Sequence, residues 1–205
     1  MSRVRLVPVG PAAVLAEVAG AAEALDLEAW ARTAGVAATE VVPGARTVLF
    51  DGVTDAPGLG QVLAGWEPGA GGADRSAELV GLVELPTIYD GPDLDDVAER
   101  WGTDRAGVVE RHAALTFVSA FCGFAPGFAY LTGLPDDLAV PRLDTPRTRV
   151  APGSVGLAGA WCGVYPTASP GGWRLLGRTD AVLWDPTRPD PALLAPGTRV
   201  RFVPR

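Results

Sequence analysis

Residues that build disulfide frameworks and metal centres are scarce in this sequence. It contains two cysteines, Cys122 and Cys162, and one histidine, His112. In a reducing compartment we expect both cysteines to be free thiols. Neither has a histidine or another base beside it in the sequence, so we expect both to be structural rather than reactive. No cluster of cysteine and histidine has the spacing of zinc ligands, so we predict that the protein has no metal site.

Long apolar runs and a basic surface are absent as well. No run approaches the roughly 20 residues of a membrane-spanning helix, and no long apolar segment follows the first five residues, so we expect no signal peptide. The net charge is −7, which argues against general binding to nucleic acids or anionic membranes. We therefore expect a cytoplasmic protein that binds neither.

The first 85 residues have the pattern of a small α+β domain. Apolar runs of strand length alternate with helical stretches, and Pro43-Gly44 marks a hairpin turn. The predicted strands are 4–9, 12–18, 40–42, 47–50 and 79–85, and the predicted helices are 25–33 and 59–66.

The remaining chain, residues 86–205, has a different texture. Pro86–Pro92 marks the boundary, and two short helices, 93–100 and 104–112, follow it with Asp93 and Thr103 as candidate caps. From Leu115 onward, strand-like runs alternate with turns, which predicts a β-rich second domain.

Glycine and proline punctuate the short apolar runs between Cys122 and Asp185. Because glycine permits positive φ and proline fixes φ, these turns give the loops defined shapes. Arginine, serine, threonine, tyrosine and tryptophan lie at the turns, an arrangement typical of a binding cleft on a β scaffold. The alternative interpretation is a β domain that has many turns and no site.

Several motifs in this part of the chain occur together, and in the same order, in a known family. The motifs are Gly91–Leu94, Gly123–Phe128, Pro146–Gly156, Ser169–Trp173, Gly177–Thr179, Pro196-Gly197 and Val200–Phe202. On these motifs the chain resembles the PxpB/KipI family, also labelled allophanate hydrolase subunit 1 or carboxyltransferase subdomains C and D. The strong resemblance extends from Gly91 to Val203, and His112 falls where a helix of the family typically ends in histidine.

This resemblance implies a fold, partners and a reaction. The family has an N-terminal α+β domain followed by a cyclophilin-like β-barrel, so we expect the α+β class with domains at 1–85 and 86–205. The family's subunit usually works with a PxpC/KipA-type subunit and, in bacteria, with a PxpA-type subunit as an ATP-dependent 5-oxoprolinase. That enzyme converts 5-oxoproline, ATP and water to glutamate, ADP and phosphate. We expect this chain to be inactive alone.

Other functions are compatible with the same resemblance. KipI-type members look like inhibitors of a sensor histidine kinase that act by binding. A cyclophilin-like prolyl isomerase is a weaker alternative, because fold alone does not fix function. The sequence has no Gly-x-x-x-x-Gly-Lys-Ser/Thr loop, so no nucleotide motif is visible although the complex is expected to use ATP.

Three arginines are candidate contacts for the anionic groups of such a reaction. Cationic donors stabilise phosphoryl transfer to a lactam oxygen, and a guanidinium binds a carboxylate through two hydrogen bonds. Arg147 and Arg149 are two residues apart in a strand-like run and should share one face. We predict a catalytic role for Arg149 and substrate binding for Arg147 and Arg178. For each, a structural salt bridge is the alternative.

Four further residues are candidates for the site. His112 is the one side chain expected to titrate near neutrality, which suits a general base or an oxyanion donor; a helix cap or a core position is the alternative. Ser154 lies on a tight turn and is predicted to bind a phosphate or carboxylate, with ordinary turn hydrogen bonding as the alternative. Tyr165 and Trp173 are predicted to line the pocket, because neighbouring turns should expose them. Phe124 and Phe128 are expected in the core.

Two positions depart from the family's pattern. Trp161 and Arg174 stand where the family commonly has glutamine. Replacing glutamine by tryptophan exchanges two-way hydrogen bonding for bulk and a single donor. The choice of substrate is therefore left open.

Overall fold

The computed structural model describes residues 4–69 and 81–205. The chain divides into two compact units, Met1–Leu79 and Val80–Arg205. Each unit has a hydrophobic core of its own.

The described residues of the first unit form a four-stranded antiparallel sheet and two helices, with strand order β1-β2-β4-β3. Val14 in β2 and Phe50 in β4 are directly paired and therefore point to the same face of the sheet. On that face they are buried in one core with Leu27 of α1 and Leu59 of α2. The elements are β1 (Arg5–Pro8), β2 (Ala13–Glu17), α1 (Ala21–Thr33), β3 (Glu40–Pro43), β4 (Thr47–Asp51) and α2 (Ala56–Leu63).

The described residues of the second unit form a nearly closed barrel with strand order β12-β9-β10-β7-β6-β13-β5. Beyond β5, the backbone of Ile88 exchanges two hydrogen bonds of 2.9 Å with Arg178 at the end of β12, so the edge strands of the sheet nearly meet. β8 and β11 form a separate two-stranded ribbon. The strands are β5 (Leu82–Thr87), β6 (Phe117–Cys122), β7 (Ala129–Thr132), β8 (Arg147–Val150), β9 (Ser154–Ala158), β10 (Trp161–Val164), β11 (Ser169–Gly171), β12 (Arg174–Arg178) and β13 (Arg199–Pro204).

Two helices pack on the barrel, α3 (Leu94–Arg100) and α4 (Arg105–Ala114). Val97 of α3 and Val108 of α4 are buried in the barrel core. The cap of α4 is Asp104 rather than the predicted Thr103, because the Asp104 carboxylate accepts the N–H of Gly107 at 2.8 Å.

Two glycines of the motifs allow backbone segments to approach β12. A Cβ on Gly177 would lie 2.2 Å from the carbonyl oxygen of Ile88, and a Cβ on Gly91 would lie 2.2 Å from the carbonyl oxygen of Leu175. No side chain fits at either position. The motif glycines therefore serve the closure of the barrel and the docking of the segment before α3.

The strand predicted at 79–85 belongs to the second unit instead of the first. β5 pairs in parallel with β13 and buries Leu85 in the barrel core; residues 79 and 80 of the predicted strand lie outside the described residues. In the first unit, α1 begins earlier than predicted, at Ala21.

Candidate functional site

Three aromatic side chains cluster between the barrel and the β8–β11 ribbon. Phe128, Tyr165 and Trp173 form one buried group, and the ring centroid of Phe128 lies 5.4 Å from the centroids of both Tyr165 and Trp173. The ribbon lies directly against this aromatic cluster: a Cβ on Gly171 of β11 would be 2.4 Å from the hydroxyl oxygen of Tyr165.

The exposure of the aromatic residues differs from the expectation. Tyr165 is 2% exposed and Trp173 7% exposed, because the β8–β11 ribbon packs against the two side chains. Phe128 is buried as expected, whereas Phe124 is 60% exposed rather than in the core. Tyr165 and Trp173 therefore lie beneath the surface of the candidate site, with Phe124 at its rim.

Arg147 is held in a fixed position at the edge of the aromatic cluster. Its guanidinium donates to Oδ1 of Asp93 at 2.7 Å and to the carbonyl oxygen of Trp173 at 3.3 Å. Asp93 is itself buried, and its Oδ2 accepts the N–H of Leu175 at 2.6 Å. The charge of Arg147 is therefore largely neutralised, and the ion pair connects β8 with the start of α3.

Arg149 and Arg142 are exposed, and neither side chain makes a hydrogen bond or ion pair within residues 4–69 and 81–205. Burial raises the pKa of the Tyr165 hydroxyl, and the positive charge of Arg142 opposes this by lowering that pKa. Arg142 therefore lies close enough to Tyr165 to act on its hydroxyl. These two guanidinium groups are free to bind an anion, as Arg147 is not.

Ser154 and Arg178 are neighbours in the barrel sheet. They lie opposite each other in β9 and β12, and the carbonyl oxygen of Ser154 accepts the N–H of Tyr165 at 2.9 Å. Ser154 is buried, while the Arg178 guanidinium lies at the surface and donates to Oδ2 of Asp90 at 3.0 Å. The structure thus brings Ser154, Arg178 and Tyr165 together through the backbone, with Arg178 already paired.

His112 lies in the barrel core, where its ring packs against Phe117 and Phe202 and not against the aromatic cluster described above. It is fully buried, with Nδ1 2.8 Å from the Tyr89 hydroxyl and Nε2 3.5 Å from Sγ of Cys162. Burial lowers the pKa of His112 to about 3 and raises the pKa of the Cys162 thiol far above its usual value. Both groups are neutral near pH 7, so this contact is not an activated thiolate. A catalytic role for His112 stays a prediction, and its surroundings are those of a core residue.

The two positions that depart from the family's pattern both have structural contacts. Arg174 is buried and donates to the carbonyl oxygen of Pro141 at 2.9 Å and to the carboxylate of Asp96. Trp161 is half-buried and packs edge-on against Phe121, with ring centroids 5.4 Å apart. Arg174 therefore joins β12 to α3.

Sequence reasoning missed Arg142 as a site residue and took Asp93 for a helix cap alone. Asp93 and Arg147 form an ion pair although they are 54 residues apart in the sequence. No local sequence pattern predicts a pair that far apart. The signal available for Arg142 was an arginine between Pro141 and the motif that begins at Pro146.

The described residues hold no group of three or more histidine, cysteine, aspartate or glutamate side chains that could bind a metal ion. In the same part of the chain, no helix has the length and apolar character needed to cross a membrane.

Comparison with known proteins identifies the family. The model of the family described as carboxyltransferase domain, subdomain C and D, matches residues 4–194. The chain belongs to this family. Within it, a 5-oxoprolinase subunit of Escherichia coli O157:H7 is 49% identical over 127 residues, which cover 60% of this chain and 58% of that protein. The chain therefore aligns with little more than half the length of this relative.

Solved structures agree with the family's fold. TTHA0988 is 34% identical with a TM-score of 0.71, and the match covers 90% of this chain and 36% of that one. The Kluyveromyces lactis urea amidolyase is 20% identical with a TM-score of 0.67, and the match covers 98% of this chain and 15% of that chain. At this level of identity the likeness shows the fold alone. The predicted fold class, a small α+β domain followed by a cyclophilin-like β-barrel, is confirmed.

Proposed function

We propose that the chain is part of an ATP-dependent 5-oxoprolinase-type complex and acts with a PxpC/KipA-type and a PxpA-type subunit. The complex would open the lactam ring of 5-oxoproline to glutamate, with hydrolysis of ATP to ADP and phosphate. The observation that carries the proposal is the 49% identity over 127 residues to a 5-oxoprolinase subunit. Because the alignment covers 58% of that relative, the activity is proposed for the assembled complex and not for the chain alone.

Arg149 and Arg142 are the proposed contacts for the carboxylate of the substrate. Both are exposed and have no partner in the described part of the chain, so a substrate carboxylate would not have to displace an internal ion pair. Charge-assisted hydrogen bonds from a guanidinium are stronger than neutral ones, and the planar fork matches a carboxylate. The two residues would bind and orient the substrate.

Arg147 is proposed as a positioning residue. Its guanidinium already donates to Asp93 and to the carbonyl oxygen of Trp173. The ion pair fixes the start of β8, the strand that carries Arg149. Arg147 would therefore act on the substrate through the placement of Arg149. The buried Ser154, Tyr165 and Trp173 would support the same surface from below.

A nucleotide does not fit the helix N-termini of the second unit's described residues. Phosphates favour such N-termini, but the Asp104 carboxylate accepts the N–H of Gly107 in the first turn of α4. The carboxylate of Asp93, before α3, is bound to Arg147 and to the N–H of Leu175. A phosphate at either end would meet a like charge. These two helix ends therefore do not support a nucleotide site, and we assign no step of phosphoryl transfer to this chain.

Omitting one component at a time from a reconstituted mixture tests the proposal. The purified chain, the PxpC-type subunit and the PxpA-type subunit of the same organism would be combined with ATP and 5-oxoproline, and glutamate and ADP would be measured. We expect both products in the full mixture and neither when this chain is left out. A complex that assembles and forms no glutamate would overturn the proposed substrate.

A further inference from the structure

Three large apolar side chains are exposed on two loops of the second unit that touch each other. Phe124 is 60% exposed, Val182 56% and Trp184 41%. Leu183 is buried, so Val182 and Trp184 lie on the same, outer side of their segment. The loop of Phe124 packs against that segment: a Cβ on Gly127 would be 2.8 Å from Cβ of Trp184. Phe124, Val182 and Trp184 are named the apolar patch.

Two consecutive turns of the backbone hold Phe124 at the surface. The carbonyl oxygen of Gly123 accepts the N–H of Ala125 at 2.8 Å, and φ of Phe124 is 69°; this is the rare, strained form of γ-turn. A β-turn follows, in which Ala125 accepts the N–H of Phe128 at 2.9 Å with Gly127 at φ 84°. Phe124 keeps this strained backbone although its ring stays mostly exposed. Strained residues of this kind cluster at sites that bind a ligand or a partner.

Two acidic residues that flank Val182–Trp184 in the sequence are paired within the chain. Asp180 lies 3.6 Å from Arg205, and Asp185 lies 3.2 Å from Arg188. On this side of the apolar patch the rim therefore offers little net charge to a partner, whereas Arg142 lies towards Tyr165 on the other side. Anionic lipid and nucleic acid both need an extended basic surface, and the chain carries a net charge of −7. An apolar centre with a polar rim is the composition of a protein–protein interface.

We propose that the apolar patch is the docking surface for the PxpC/KipA-type subunit, which would present a complementary apolar face. This inference rests on the proposed function, in which the chain works as part of a complex. A stable interface buries about 1,200–2,000 Å² in total, so the three side chains would form its centre. The ring centroid of Phe124 lies 6.2 Å from that of Tyr165, so the partner would lie beside the aromatic cluster and complete the candidate site.

Binding of the purified PxpC-type subunit of the same organism, measured by titration calorimetry, tests the docking surface. Phe124→Gly removes the ring and suits the positive φ, so the variant should unfold at the temperature of the wild type or above. Trp184→Ser removes a second ring. Val62→Ser is the matched control, because Val62 is 43% exposed on α2 in the first unit. We expect dissociation constants at least about tenfold higher for the two patch variants and no change for the control.

The outcomes separate this inference from the proposed function. If the wild type binds and both patch variants bind equally well, the docking surface is wrong and the proposed function stands. If the wild-type chain does not bind the PxpC-type subunit, the partner assignment and the docking surface both fail. Light scattering on the chain alone gives a further outcome: a dimer that Phe124→Gly converts to a monomer would make a second copy the occupant and overturn the proposal.

Discussion

Acidification from pH 7 to pH 5 should destabilise the second unit through His112. Burial lowers the pKa of His112 to about 3 in the folded protein, against about 6.5 in an unfolded chain. A histidine whose folded pKa is depressed contributes stability above its unfolded pKa, and this contribution is lost as the pH falls from about 6.5 towards 3. In that window the unfolded chain binds a proton that the folded chain does not bind.

The magnitude follows from the linkage between protonation and folding. Each pH unit between the two pKa values changes the free energy of unfolding by about 1.4 kcal/mol. From pH 7 to pH 5 the wild type should therefore lose about 2 kcal/mol through this group alone. Carboxylates also titrate in the lower part of this range, but they are the same in a His112 variant and cancel in the comparison.

Urea unfolding at pH 7, 6 and 5, followed by circular dichroism, measures the effect. His112→Gln keeps a hydrogen-bonding side chain that does not titrate, so it should lose about 2 kcal/mol less than the wild type between pH 7 and 5. Tyr89→Phe is the control: it removes the hydroxyl 2.8 Å from Nδ1, should cost about 1 kcal/mol at every pH, and should keep the wild-type pH dependence. Equal pH dependence in the wild type and His112→Gln would refute the buried neutral imidazole.

Three other predictions concern the barrel and its ion pairs. Gly177→Ala places a Cβ 2.2 Å from a backbone oxygen and should cost at least about 2 kcal/mol in urea unfolding, whereas Gly20→Ala, which meets nothing within 4 Å, should cost less than about 1 kcal/mol; equal losses would contradict the close approach. Arg147→Ala leaves the buried carboxylate of Asp93 without its partner and should lower the free energy of unfolding by about 3 kcal/mol. Arg178→Ala breaks an exposed pair and should lower it by less than about 1 kcal/mol. A larger loss for Arg178→Ala in urea unfolding would contradict this ranking. Cys162 should resist a thiol reagent in the native protein and react after denaturation, while the half-buried other cysteine reacts first; simultaneous labelling of the native thiols would show that Cys162 is accessible.

Local chemistry carried much of the fold prediction. Pro43-Gly44 marked the hairpin of β3 and β4, and the helical pattern that begins at Asp104 placed α4, although its cap was expected at Thr103. The motif glycines were visible in the sequence, but their reason was not, because it lies in backbone segments that meet across the barrel. Gly177 meets Ile88, and β5 was assigned to the wrong unit because its partner β13 lies more than a hundred residues later.

The candidate site was less accessible from the sequence than the fold. Exposure of Tyr165 and Trp173 was inferred from neighbouring turns, but the β8–β11 ribbon folds back over them, and that contact is tertiary. The partner of Arg147 is Asp93, and the partner of Cys162 is His112, each about fifty residues away. A lone histidine at a helix end was compatible with a core position as well as with a cap or a catalytic role, and no local pattern decided between them.

Turnover of 5-oxoproline by the reconstituted complex, with Arg149→Ala or His112→Gln in this chain, tests most directly where the site lies. If the exposed arginines bind the substrate and His112 is a core residue, Arg149→Ala should lower kcat/KM about ten- to a hundredfold, mainly through KM. His112→Gln, assayed at pH 7 in a complex whose folding is checked by circular dichroism, should retain activity within about threefold. Loss of activity in a folded His112→Gln complex, with Arg149→Ala unaffected, would contradict this assignment and move the chemistry to the barrel core.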